Sequence, residues 1–357
     1  MKVMIAAGGT GGHIYPALAL ADVLKKEDDK NEVLFFGSSN RMESTLIPNH
    51  GYKFYGYEMV GTNGGFRAKM KSVISMMKAE KYALLILKEE KPDICVGFGN
   101  YISVPLIRAA HKLSIPTMLH EQNSFAGKAN VYLARFADAI VGCYEANYKQ
   151  FPSEKVKLLG NPEATIAADV EYSSEVISSI GLKENIPFVV FMMGSLGSSS
   201  VSQVIDRACP LFDKDYQVVI AAGKSNEYSF QYTSNDRIKI VPYVDGKAML
   251  KGCSLAVVRA GATTMAEIGA IGCASVLIPS PYVPNNHQYF NAKELSDKDA
   301  AVLLEEKDLN EKVLADTVNN LMHDPNRIDA MKQKAFQEGK RDAAYSMIHW
   351  MKELINE

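Results

Sequence analysis

The chain has 357 residues, 39 Lys and Arg against 41 Asp and Glu, a formal charge of −2 and 47% apolar residues. That length favours two domains, because single cores stop growing beyond about 250–300 residues. The balance excludes a disordered chain and argues against a nucleic-acid binder held by bulk charge. Cys95, Cys143, Cys209, Cys253 and Cys273 form no CxxC pair and no Cys/His cluster at metal-ligand spacing, so they read as reduced core residues of a cytosolic protein. No leader and no membrane span is expected, since the N-terminal apolar run is short and no stretch reaches about 18 apolar residues. Residues 1–160 carry 20 Lys and Arg against 15 Asp and Glu, or +5, leaving 19 against 26, or −7, for the rest. The first half is the better suited to an anionic partner.

In chain order, residues 2–7 read as a short buried strand and 8–12 as a glycine turn. Residues 16–26 read as a helix with Pro16 near its first position and Leu18, Ala21 and Leu24 at helical spacing. Strands are predicted at 32–37, 94–97, 117–121 and 139–143. A second strand, glycine turn and helix begins at 188–193, 194–198 and Val201, followed by strands at 217–222, 238–242, 255–259 and 274–279. Alternation of this kind implies two doubly wound α/β domains in tandem, each with a parallel sheet. The boundary falls near Gly160-Asn161-Pro162, where polar and small residues replace periodicity.

Gly8-Gly9-Thr10-Gly11-Gly12-His13 is no P-loop, lacking Lys-Ser/Thr, and fails GxGxxG because Ile14 stands where the last glycine belongs. Its four glycines at a helix start still suit an anion. The competing account is a tight structural turn. His13 is a candidate general base or, more plainly, a helix cap. Thr263 and Thr264 in the 259–267 segment offer hydroxyls and amides to a phosphate, with Glu267 expected in the first helical turn to accept from ribose hydroxyls. A capped helix with a dipole-compensating Glu explains the same residues. Asn285, Asn286, Gln288 and Asn291, with His287 among them, gather the neutral amides that a sugar site uses. Residues 66–91 form a basic amphipathic helix with more apolar residues than one core stripe needs, which suits an anionic membrane surface. Asp213-Lys-Asp215 and Asp297-Lys-Asp299 have metal-motif spacing but lie in polar connections and read as solvated turns.

Six motifs taken together (GGTGGH at 8–13, HEQN at 120–123, GNP at 160–162, GSLG at 194–197, RAGATTMAE at 259–267 and NHQYFNA at 286–292) make the chain resemble the MurG family along its whole length. The resemblance implies a GT-B fold, with two Rossmann-like domains facing across a cleft. It implies an inverting transferase moving GlcNAc from UDP-GlcNAc to the 4-hydroxyl of the MurNAc of undecaprenyl-linked lipid I, forming lipid II in peptidoglycan synthesis. Residues 1–161 would be the acceptor and membrane-associating domain, with His13 the base and Gly9, Thr10, Gly11, Gly12, Tyr101 and Asn123 on the acceptor. Residues 162–339 would hold the donor through Ser195, the Val244 backbone, Thr263, Thr264, Glu267, Gln288 and Asn291, with Asn161 just before the boundary also on the donor, and residues 340–357 would cross back to the first domain. No cofactor, no metal and no nucleic-acid partner is implied, and the enzyme is expected on the inner face of the cell membrane. Two positions depart from the family: Ala164 replaces the arginine of GNP-x-Arg, and Leu196 replaces a glutamine. A UDP-sugar epimerase and a divergent lipid glycosyltransferase or non-catalytic member are the alternatives, separated from the first reading by acceptor-dependent UDP release.

Overall fold

The computed structural model describes residues 1–61, 65–194, 197–223 and 228–356. The chain divides into two compact units, Met1–Thr165 with Asp342–Glu357, and Ile166–Arg341.

The first unit begins β1 (Lys2–Ala6), α1 (Gly11–Glu27), β2 (Glu32–Ser38), α2 (Glu43–Asn49), β3 (Lys53–Tyr57) and α3 (Phe66–Glu90). It continues β4 (Ile94–Gly97), α4 (Ser103–Lys112), β5 (Thr117–Glu121), α5 (Lys128–Leu133), β6 (Ala139–Gly142) and β7 (Val156–Leu158), and the division falls within α6 (Glu163–Ala168). All pairings are parallel, in the order β3-β2-β1-β4-β5-β6-β7. Val3 to Ala6 are wholly buried because helices cover both faces of the central strands, which is why these strands read as unbroken apolar runs. Ala83, Ile86 and Leu87 of α3 and Leu106 and Ala110 of α4 pack on Met4, Leu34, Phe36 and Leu119. Buried Glu80 ties the two helices together, pairing with Arg108 at 2.9 Å and Lys112 at 2.5 Å. The first helix starts at Gly11, not Pro16: two glycines of the turn are already helical, and Pro16 lies in the second turn. Glycine's poor helix propensity hid that start.

The second unit runs α7 (Ser174–Ser179), β8 (Phe188–Met192), α8 (Ser199–Ala208), β9 (Gln217–Ala221), β10 (Ile238–Val241), α9 (Gly246–Gly252), β11 (Leu255–Val258) and α10 (Ala262–Ile271). After these come β12 (Ser275–Leu277), α11 (His287–Ser296), β13 (Ala301–Leu303), α12 (Glu311–Met322) and α13 (Pro325–Glu338). Its parallel order, β10-β9-β8-β11-β12-β13, repeats that of the first sheet less one edge strand. Backbones touch where α10 passes the end of α13: a Cβ on Gly339 would stand 2.3 Å from the Gly269 carbonyl oxygen, so only glycine fits.

The last helix, α14 (Ala343–Asn356), belongs to the first unit. It buries Ala344, Met347, Ile348 and Met351, donates from the Ala344 amide to the Thr165 hydroxyl oxygen at 3.0 Å, and pairs Lys352 with Glu27 of α1 at 2.9 Å. The five cysteines are unbonded. No helix among the described residues is long and apolar enough to cross a membrane.

Candidate functional site

Open parallel sheets bind ligands beyond the carboxyl ends of their strands, where the strand order reverses. In the first sheet that point lies between β1 and β4. It brings together the glycine turn after β1 and the segment Phe98-Gly99-Asn100-Tyr101 after β4. Asn100, at φ 63°, donates to the Gly8 carbonyl at 3.3 Å and accepts from the Tyr101 amide at 2.6 Å. Gly9 is at φ 83°, and a Cβ there would stand 2.2 Å from the Asn100 amide nitrogen. Only glycine allows both the angle and the approach.

Glu43, at the start of α2, is wholly buried and accepts the amides of Gly9 at 3.0 Å and Ser38 at 3.1 Å. The Gly9 amide is thus engaged by a carboxylate inside the protein. Gly11 and Gly12 open α1, where amides have no intrahelical partner. His13 follows in the same turn, its Nδ1 2.8 Å from the Thr10 hydroxyl. A Cβ on Gly99 would lie 3.3 Å from both the His13 ring and the Asn130 amide, so the imidazole rests on the β4 turn.

Nearby, the Tyr101 hydroxyl is buried without a hydrogen-bond partner. The Asn123 backbone and side-chain amides reach Glu121 Oε1 at 3.1 and 3.4 Å, while Glu121 Oε2 accepts from Gly127 and Asn130, each at 2.9 Å. Burial raises the Glu121 carboxyl against the pull of those hydrogen bonds. His120 is buried beneath this loop, its Nε2 3.1 Å from the Gly160 carbonyl oxygen and its ring 4.9 Å from Phe98. Burial lowers it to about 4, so it is neutral and supports the loop. Sequence reasoning missed Glu43, Asn100, Glu121 and Asn130, the residues that set the turn and the loop. Asn100, directly after a Gly-x-Gly, was the legible one.

In the second sheet the reversal lies between β8 and β11. Ser195 and Leu196 fall outside the described residues. Gly194 and Gly197 have φ of 89° and 73°, and Ser198 immediately precedes α8, its hydroxyl accepting from Arg259 at 2.6 Å. Arg259 also pairs with Glu306 at 2.8 Å and donates to the Ile278 carbonyl at 3.1 Å. Thr263 and Thr264 occupy the first turn of α10, and the Thr263 hydroxyl is buried without a hydrogen-bond partner. Glu267 lies in the second turn, correcting its expected place in the first, and faces Lys247 of α9 at 3.5 Å. The Val244 side chain packs in the core, so its backbone alone can meet a ligand.

Gln288 Oε1 accepts the Ser280 amide at 2.8 Å, and wholly buried Asn291 donates to the Ala260 carbonyl at 3.3 Å. Both therefore brace the turns around β11 and β12. Asn161 is buried within the first unit, its Oδ1 accepting the Glu163 amide at 3.0 Å and its Nδ2 without a hydrogen-bond partner. Asp213 and Asp215 face His323 at 3.7 and 3.0 Å, Asp297 pairs with Lys293 and Asp299 with Lys334. Among the described residues no three His, Cys, Asp or Glu side chains form a metal cluster.

Two doubly wound units, each with a small-residue turn at its switch point, have the GT-B fold of sugar-nucleotide glycosyltransferases. Residues 3–141 match the glycosyltransferase family 28 N-terminal domain and 188–347 its C-terminal domain. The chain belongs to glycosyltransferase family 28 and, within it, to the MurG family. It is 39% identical, over 99% of its length and 100% of the relative, to the UDP-N-acetylglucosamine–N-acetylmuramyl-(pentapeptide) pyrophosphoryl-undecaprenol N-acetylglucosamine transferase of Latilactobacillus sakei. The protein of that name from Leuconostoc citreum is 40% identical over 96% of this chain and 95% of its own. The crystal structure of Acinetobacter baumannii MurG superposes with a TM-score of 0.80 at 25% identity, covering 99% of both chains. A putative UDP-N-acetylglucosamine 2-epimerase from Listeria monocytogenes, at TM-score 0.71 and 14% identity over 97% and 94%, shares the fold.

Proposed function

We propose that this chain transfers GlcNAc from UDP-GlcNAc to the 4-hydroxyl of the MurNAc of undecaprenyl-linked lipid I, forming lipid II. The end-to-end match to transferases of that name carries the reading. The reaction is a single displacement with inversion: the hydroxyl oxygen attacks C1 of GlcNAc, the bond to UDP breaks, and the hydroxyl proton passes to a base.

The first unit takes the acceptor, with the amides of Gly11 and Gly12 toward its pyrophosphate, Thr10, Tyr101 and Asn123 beside it, and Gly9 shaping the turn. His13 is the base. A proton on Nδ1 donated to the Thr10 hydroxyl would leave Nε2 with the lone pair that accepts the substrate's proton. The second unit takes the donor: Ser195 and the Thr263-Thr264 helix start at the phosphates, the Val244 backbone at uracil, Glu267 at ribose, and Gln288 and Asn291 behind the sugar. Asn161 is assigned to the donor as well. Helix starts supply positive potential to the departing diphosphate, and activity persists in excess chelator.

Exposed Met70, Val73, Ile74 and Met77 follow the i, i+3, i+4, i+7 spacing of one face of α3, beside exposed Lys71, Lys78 and Lys81. That face supports peripheral contact with the anionic inner leaflet.

The test is UDP release with and without a lipid I analogue, compared across UDP-GlcNAc, UDP-glucose and UDP-GalNAc. Acceptor-dependent release selective for UDP-GlcNAc is expected. Saturable UDP-GlcNAc binding without acceptor-dependent release would overturn transfer in favour of an epimerase or another acceptor.

A further inference from the structure

A nucleoside diphosphate carries its greatest charge on the diphosphate, so a site that holds it gains from a cation within reach. Position 164 supplies none, because its alanine is 1% exposed and sits at the start of α6. Among the described residues of the turns after β8, β10 and β11, through the starts of the helices that follow, the cations are Arg259 and Lys247. Arg259 is committed elsewhere. Its side chain is 10% exposed and is held by Glu306, Ser198 and the Ile278 carbonyl, which fixes the start of α8.

Lys247 is placed differently. It is the second residue of α9, where a cation opposes the helix dipole. Its ammonium crosses to α10 and lies 3.5 Å from Glu267 Oε1, with the two side chains 28% and 14% exposed. A charge-assisted hydrogen bond closes to about 2.7–2.9 Å. At 3.5 Å the pair is longer than such a bond and partly exposed; Lys247 follows Val244, whose backbone is assigned to uracil, by three residues, and Glu267 is the carboxylate assigned to ribose.

We infer that Lys247 is a diphosphate-binding residue that exchanges Glu267 for the phosphate oxygens when the nucleotide enters. This rests on the donor assignment proposed above. Ribose hydroxyls satisfy Glu267, and the released ammonium swings on its four-carbon stem to the phosphate oxygens. A helix lysine thereby takes the charge role of the arginine absent at position 164.

The experiment measures the affinities of UDP and of uridine for the full chain, for Lys247→Met and for Lys247→Arg. Loss of one charge-assisted contact should weaken UDP about tenfold in Lys247→Met. Uridine, which has no phosphate, should stay within about twofold or tighten, and Lys247→Arg should retain most UDP affinity. The UDP affinity of wild type should also fall more steeply with salt than that of Lys247→Met. Equal weakening of UDP and uridine would reduce Lys247 to a support for Glu267 and overturn the inference, as would no change in either. A wild-type chain that binds neither ligand would overturn the donor assignment and this inference with it; one that binds both while Lys247→Met is unchanged would overturn this inference alone.

Discussion

Glu43 holds the Gly9 amide at 3.0 Å from 34 residues further along the chain, with its other carboxylate oxygen on the Ser38 amide. The geometry of the glycine turn therefore depends on a side chain from a different strand–helix connection. Glu43→Ala orphans two buried amides, at about 1–3 kcal/mol each, and should lower the thermal midpoint and kcat. Glu43→Gln keeps one acceptor and should fall between Glu43→Ala and wild type. The KM for UDP-GlcNAc, which the other unit is proposed to bind, should stay near wild type in both. An equal rise in donor KM would count against a role confined to the acceptor side.

His13→Ala should cut turnover by about 10²–10⁴, the usual worth of a general base, with donor affinity preserved. Thr10→Val, which removes the hydroxyl 2.8 Å from Nδ1, should cost less and shift the pH–rate profile, because the imidazole loses the partner that sets its tautomer. Turnover by His13→Ala within twofold of wild type would remove the base assignment.

Acid should destabilise the first unit through His120. Burial lowers its pKa from the ordinary imidazole value of about 6.5 to about 4, so between those values the unfolded chain binds a proton that the folded chain refuses. The stability from neutral His120 is complete above about pH 6.5, is lost as the pH falls toward 4, and amounts to roughly 3 kcal/mol. Glu121, its carboxyl raised by burial, acts in the opposite sense, so the comparison must isolate the histidine. His120→Asn should unfold less steeply with acid than wild type in melts at pH 5 and pH 7.5. Parallel acid limbs would contradict it.

Gly339→Ala forces a Cβ to within 2.3 Å of the Gly269 carbonyl oxygen. Backbone rather than a flexible side chain must give way, so a loss of about 1–3 kcal/mol is expected. Gly65→Ala is the control, since nothing lies within 4 Å of a Cβ there and its φ is −71°. Chemical denaturation of the two variants side by side checks the difference.

Replacing Met70, Val73, Ile74 and Met77 by serine should leave the melting temperature within about 1–2 degrees, because these side chains are 50–60% exposed. Sedimentation with anionic vesicles should fall sharply. Unchanged sedimentation would remove the membrane reading of α3.

The central strands were legible because helices bury both their faces, leaving apolar runs such as Val3-Met4-Ile5-Ala6. Unread were β3, β7 and β13, all edge strands. An edge strand meets one neighbour and solvent, so its composition loses the apolar signature: β3 is Lys-Phe-Tyr-Gly-Tyr and half-exposed, and β7 and β13 have 3 residues each. The site divides in the same manner. Turns directly after a strand, at Gly8 and Arg259, announce themselves by composition. Glu43 acts on Gly9 across a fold that local pattern does not encode, and Glu267 was placed a turn early because Gly261 and Ala262 do not mark where α10 begins.

The return of Asp342–Glu357 to the first unit also constrains the order of events on the ribosome. The face of α1 that α14 covers is made early and its cover late, after Ile166–Arg341 has been synthesised. At about 5–20 residues per second, the first unit waits on the order of ten seconds or more with apolar surface uncovered, while the second is continuous in sequence and can finish first. The unit begun first is completed last, and a nascent chain stalled before residue 342 holds one finished fold and one that still lacks its closing helix.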